Sequence, residues 1–97
     1  MAVIETTTLR LAGGVDDATV LAADEKVRTG FLYQQPGLMR ATTAVGDDGE
    51  WIVVVLWASD DDAASAETRA RTDPANGELM ALVDPTSVKR KRYRCFD

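Results

Sequence analysis

The chain has 97 residues, one cysteine, no histidine and a formal net charge of −5. That length suits a single domain over residues 1–97, and a domain so small buries only about 60–65% of its unfolded surface, so it needs further stabilisation. A disulfide within the chain is excluded because Cys95 stands alone, and a zinc or iron–sulfur cage is not expected from one thiol without histidine. Oligomerisation is the remaining source.

The acidic balance repels nucleic acid on average, so no nucleic-acid partner is expected. The opening Met1-Ala2-Val3-Ile4-Glu5 has neither the basic region nor the apolar run of a signal peptide. The longest apolar run, Trp51 to Trp57, is far too short to cross a bilayer. No membrane partner is expected, and the lone cysteine fits a reducing compartment, so the chain reads as cytoplasmic.

Val3 to Leu11 reads as a strand rich in β-branched residues, ended by Gly13-Gly14. Asp16-Asp17 opens a helix, since carboxylates suit the positive end of the helix dipole. Val20, Asp24, Val27 and Phe31 recur along it at helical spacing. It is predicted to end near Gln34, because Pro36 pushes the preceding residue out of the α region. Leu38 to Val45 and Glu50 to Ala58 are strands joined by Gly46-Asp47-Asp48-Gly49, whose Asp-Gly pair has hairpin chemistry.

Ser59 caps a second helix that opens with Asp60-Asp61-Asp62, and Ser59 with Asp62 resembles a capping box. Ala63, Ala66 and Ala70 form a thin apolar stripe suited to close packing on a sheet. Asp73-Pro74 interrupts the helix, Leu79 to Val83 follows as a helical turn or two, and Val88 to Phe96 is the last strand. The order is βαββαβ. It predicts an α+β ferredoxin-like sandwich: a four-stranded antiparallel sheet with both helices on one face.

Such a sheet should show strands that alternate apolar and polar. The third strand does not: Trp51, Val53, Val55 and Trp57 take one face, Ile52, Val54 and Leu56 the other. The helices cover one face only. Burying an aliphatic side chain stabilises by roughly 1.5–3 kcal/mol, so a second copy of the sheet is expected over the other, giving a homodimer.

Asp24 stands where the helical stripe calls for leucine. A carboxylate facing the interior is costly unless paired, hydrogen-bonded or protonated. It either faces a cavity between helix and sheet, as a general base or ligand anchor, or sits at the wet edge of the stripe paired with Arg28. Trp51 and Trp57 share a strand face and either line a pocket for a planar ligand or serve as core. Thr6 and Thr8 share a face on the first strand, and Tyr33, Gln34 and Gln35 close the first helix; both groups are candidates for contact with a ligand. The basic run Lys89 to Arg92 with Arg94 splits between faces, with Arg90, Arg92 and Arg94 on one and Lys89, Lys91 and Tyr93 on the other. It reads as the guard of an edge strand, with ion pairing across a dimer and polyanion binding as the alternatives.

The layout around Gln35-Pro36-Gly37, the hairpin, and Trp51-Ile52-Val53-Val54-Val55-Leu56-Trp57-Ala58-Ser59 before an alanine-rich helix resembles the dimeric α/β-barrel superfamily, with its antibiotic-biosynthesis-monooxygenase-like proteins closest. The resemblance implies two sheets packed face to face in a homodimer and a ligand cavity between sheet and helices. It implies a cofactor-independent monooxygenase-like enzyme acting on an aromatic or quinol-type substrate, whose cavity uses an asparagine, a tryptophan, a tyrosine and an arginine. Trp57 matches the tryptophan, and Arg40 and Tyr93 are taken as the polar partners. The only asparagine, Asn76, falls in a different kind of segment. The haem-degrading branch relies on a histidine ligand that this chain lacks, so no cofactor and no metal is expected. The expected site is Asp24 as base or anchor, Trp57 against the ring, and Arg40 or Tyr93 donating hydrogen bonds to developing negative charge. The alternative is a non-catalytic dimeric binding or structural protein whose interior is filled by side chains.

Overall fold

The computed structural model describes residues 1–96. Its strands are β1 (Val3–Leu9), β2 (Leu38–Val45), β3 (Trp51–Trp57) and β4 (Lys89–Arg94), and its helices α1 (Asp17–Gly30), α2 (Asp60–Ala70) and α3 (Pro74–Met80). The strands form one antiparallel sheet in the order β2-β3-β1-β4, the ferredoxin-like arrangement. No helix among the described residues is long and apolar enough to cross a membrane.

Local chemistry sets the ends of these elements. The Asp16 carboxylate caps α1 by accepting the Thr19 amide at 2.8 Å. The Ser59 hydroxyl caps α2 by accepting the Asp62 amide at 3.1 Å, and donates in turn to the Asp62 carboxylate at 2.9 Å. The box is thus closed through the hydroxyl, because aspartate is one methylene shorter than the usual glutamate. In the hairpin, Gly49 takes φ 85°, and the Asp48 carboxylate accepts the Glu50 amide at 3.1 Å.

The strands β1, β3 and β4 are one or two residues shorter at their ends than the sequence suggests, and two helix boundaries differ more. The first helix stops at Gly30, where Phe31 turns to φ −132°, and Leu32–Gln34 continues as a 3-10 turn. The third helix begins at Pro74 rather than near Leu79, because the Asp73 carboxylate accepts the Asn76 amide and proline occupies the first helical position. Proline fits there because its missing N–H has no helical partner to lose.

These caps predict an acid response. The Thr19 hydrogen bonds hold the Asp16 carboxyl below its usual value, and the Glu50 amide does the same for Asp48. A depressed carboxylate contributes stability that is complete above its unfolded value and is lost as pH falls through the folded one. The melting temperature is therefore expected to drop on acidification below about pH 4. Asp16→Asn should flatten that drop; an unchanged acid limb would show that this cap carries none of it.

Gly37 has φ 84°, and a Cβ there would land inside the Asp62 side chain at the α2 N-terminus. Its carbonyl also accepts the Ala58 amide at 2.7 Å, which ties the start of β2 to the end of β3. Gly37→Ala is expected to cost about 2–3 kcal/mol through the left-handed backbone and the displaced capping carboxylate. A urea titration with an unshifted midpoint would refute this.

The helices cover the sheet face that carries Val3, Leu9, Trp51, Val55 and Trp57, all buried. Two apolar clusters form there. One joins Val3, Val55 and Trp57 to Ala63 and Ala66 of α2, and the other joins Leu9 and Trp51 to Val20 and Val83. The opposite face carries Ile4, Ile52, Val54 and Leu56, all half-buried with no layer of the chain over them.

Candidate functional site

Between the two apolar clusters the sheet offers Thr7, Thr43 and Val53, residues too small to fill the space beneath the helices. Val53 faces the helix layer and yet is only half-buried. A cavity of about 260 Å³ opens there, walled by α1, α2, α3 and the sheet. Its lining is largely apolar and includes Val27, Phe31, Val55, Ala66, Leu79 and Met80. The volume lies just below the usual range of small-molecule pockets, roughly 300–1,000 Å³.

Asp24 lies on the cavity wall and is 6% exposed. It therefore does not sit at the wet edge of the stripe, although Arg28 Nη1 does stand 3.9 Å from its Oδ2. That separation is too long for a hydrogen bond, and among the described residues no donor bonds the Asp24 carboxylate. Arg28 is itself held in place: its Nε donates to the Tyr33 hydroxyl at 3.0 Å and its Nη2 to the Ala41 carbonyl at 3.2 Å. The guanidinium is fixed from two sides, with Nη1 left towards the carboxylate.

Trp57 also lines the cavity, is 2% exposed, and packs on Ala63 and Ala66. Its Nε1 is buried with no hydrogen-bond partner. An unsatisfied buried donor costs about 1–3 kcal/mol.

The structure thus brings Asp24 and Trp57 together. It does not bring Arg40 or Tyr93 to them. A bulge between Leu38 and Arg40 shifts the β2 register so that Arg40 pairs with Leu56, on the sheet face away from the helices. Tyr93 pairs with Ile4 on that same outer face. Thr6 and Thr8 also lie there, and their neighbour Thr7 lines the cavity instead. Trp51 belongs to the core with Leu9, Val20 and Val83, apart from the cavity. Of the residues closing the first helix, Tyr33 positions Arg28, while Gln35 donates to the Phe31 carbonyl and accepts Arg69 Nε at 2.6 Å.

Asn76 is the reverse case, for it lies on the cavity wall. Its Nδ2 donates to the Ala70 carbonyl at 3.2 Å, which anchors the side chain between α2 and α3. Reading Asp73-Pro74 as a helix start would have placed Asn76 in the first turn of α3.

β4 closes the far edge of the site. Arg92 Nε donates to Glu5 at 2.9 Å, Nη2 to Glu67 at 2.8 Å and Nη1 to Asp60 at 3.4 Å. The Glu5 bond, with Glu67 and Asp60 behind it, outweighs burial and holds the guanidinium above its usual value. One side chain thereby pins α2 to the sheet edge. Arg92→Met keeps the apolar stem and leaves three carboxylates facing one another, so it is expected to cost about 1–3 kcal/mol. Adding Glu5→Gln should recover part of that loss in a chemical-denaturation double-mutant cycle; strict additivity would contradict the network.

Among the described residues no group of three or more acids or thiols is placed to hold a metal ion. No family profile and no curated protein sequence matches the chain. Solved structures do. SnoaB, a cofactor-independent oxygenase from Streptomyces nogalater, superposes with a TM-score of 0.82 at 17% identity, over 99% of this chain and 94% of that one. A Bordetella bronchiseptica protein named provisionally as an antibiotic biosynthesis monooxygenase gives 0.80 at 12% identity, over 97% and 96% of the two chains. The chain therefore has the ferredoxin-like α+β fold of the antibiotic-biosynthesis-monooxygenase-like proteins.

Proposed function

We propose that this protein is a cofactor-independent oxygenase that takes a planar aromatic or quinol-type substrate into the cavity and works as a homodimer. The observation that carries this reading is Asp24: a buried carboxylate without a hydrogen-bond donor, on the wall of an apolar cavity. A purely structural dimer has no use for a void at that place or for a charge beside it. The likeness in fold to a cofactor-independent oxygenase supports the same reading.

The chemistry can be written on an anthrone, whose ring methylene is acidic. Asp24 takes one methylene proton and the substrate becomes an extended enolate. Arg28 Nη1, fixed near the carboxylate, faces the anion as it forms, and Asn76 on the same wall stands ready as a donor. The enolate carbon is electron-rich and reacts with dioxygen to give a hydroperoxide, which loses water and leaves a carbonyl. The carbon gives up four electrons and dioxygen accepts four. One oxygen atom stays on the ring, and the other leaves as water with the two methylene hydrogens.

The test is oxygen uptake by the purified protein with anthrones and naphthoquinols, followed together with quinone formation. Uptake matched by quinone, and lost in Asp24→Asn, is the expected result. A wild-type protein that accelerates none of these oxidations would overturn the assignment.

A further inference from the structure

The cations of this chain divide sharply by partner. Arg10 bonds Asp48, Lys26 lies near Glu78, Arg28 faces Asp24, Arg69 bonds Gln35 and Arg92 holds three acids. Lys91 lies over the Tyr93 ring and Arg94 over Phe96. Among the described residues four cations remain without an ion pair, a hydrogen bond or an aromatic partner: Arg40, Arg71, Lys89 and Arg90. The chain has 16 acidic residues against 11 basic ones, so free acids are in surplus and a cation left alone is not explained by shortage.

Two of those four, Arg71 and Arg90, line the cavity, and both are exposed. They reach it from different elements. Arg71 caps the C-terminal end of α2, and Arg90 stands on β4 opposite Thr7, two residues before Arg92. The wall carboxylates offer them nothing. Glu5 and Glu67 are both taken by Arg92, and Asp24 faces Arg28. The helix dipole gives Arg71 a reason to sit at a helix end. Protection of the β4 edge gives Arg90 a reason to be charged, but neither effect calls for two free guanidiniums on the rim of one apolar cavity.

We propose that the ligand of this cavity is a planar apolar molecule bearing a carboxylate, its ring system inside and its carboxylate held at the mouth by Arg71 and Arg90. This rests on the reading of the cavity as a ligand site and adds the charge of the ligand. Guanidinium groups suit the task because their planar fork matches a carboxylate with two parallel hydrogen bonds. The arrangement also fixes orientation, since a ligand anchored at the rim presents its far ring to Asp24 and Trp57.

The experiment uses a matched pair, naphthalene-2-carboxylate and the neutral naphthalene-2-carboxamide, titrated calorimetrically into the intact protein at low and high salt. The carboxylate is expected to bind about tenfold more tightly at low salt, the sum of two partly exposed charge pairs, with the gap narrowing as salt rises. Arg71→Gln with Arg90→Gln should erase the preference and leave carboxamide binding in place. Lys89→Gln, on the outer face, should leave the preference intact. Equal affinity for the two ligands in the wild type would overturn the inference while the cavity reading stands. A preference that survives the double variant would overturn it too, by placing the anion elsewhere. If neither ligand binds, the cavity reading falls and takes the inference with it.

Discussion

Asp24→Asn is expected to lower turnover by about 10²–10⁴-fold, the usual contribution of a positioned general base. Asparagine has nearly the same shape, so the cavity keeps its volume and the ligand its place. What is lost is the ability to accept a proton. Stability should not fall with activity. The carboxylate is buried, makes no hydrogen bond among the described residues, and meets Arg28 only at 3.9 Å. Removing the charge relieves its desolvation and gives up only a 3.9 Å attraction to Arg28, whose guanidinium keeps its bonds to Tyr33 and Ala41, so the variant should be about as stable as the wild type. Asp24→Leu restores the apolar stripe of α1 and should raise stability while abolishing turnover. Opposite movements of activity and stability at one position are the signature of a group kept for function. Steady-state kinetics separates base from anchor: a base lowers kcat at constant KM, an anchor raises KM. Full kcat in Asp24→Asn would remove Asp24 from the chemistry.

How far the sequence disclosed this site depends on the kind of signal each residue gave. Asp24 was visible because it breaks a helical stripe between Val20 and Val27, and both of those residues are buried with it. The hairpin was visible because Asp48-Gly49 dictates a turn, and Ser59 because a cap precedes its helix. Arg40 was not placeable. Without the bulge after Leu38, simple antiparallel counting from the Leu38–Trp57 pair would set Arg40 against Val55 and aim it at the helices; one extra residue sends it to the other face. Tyr93 and the threonines of β1 pose the same problem, since alternation groups residues by face and does not say which face meets the helices. That choice is made by long-range contacts such as Arg92 with Glu5 and Glu67. Asn76 was missed because Asp-Pro serves equally as a break and as a start. The cavity itself is a difference between packed volumes on three helices and four strands, and no local pattern encodes it.

Val54→Asp is expected to separate the proposed homodimer into monomers. Val54 stands on the central strand β3, paired with Thr6 on one side and Thr42 on the other, with Ile52 and Leu56 two residues away on the same face. That face is apolar along β3 and at Ile4, with Thr6, Thr8, Thr42 and Arg40 flanking the apolar strip, and it has no covering layer within the chain. Each aliphatic side chain buried there by a second copy contributes roughly 1.5–3 kcal/mol, and every contact across a two-fold axis occurs twice. An aspartate at position 54 removes the apolar contact, and it also buries a charge in the interface from each copy. The combined cost should exceed about 3 kcal/mol, a weakening of more than about 100-fold in dimer affinity. Sedimentation at increasing protein concentration should show wild type holding the dimer mass and the variant the monomer mass. Val54→Thr, nearly the same shape with one hydroxyl, should weaken the dimer by much less. The link to stability gives a second readout, because a dimer that unfolds to monomers gains melting temperature with concentration and a monomer does not. A wild-type protein that sediments as a monomer at about 50 µM, with a melting temperature independent of concentration, would show that β3 carries its outer apolar face for some other partner.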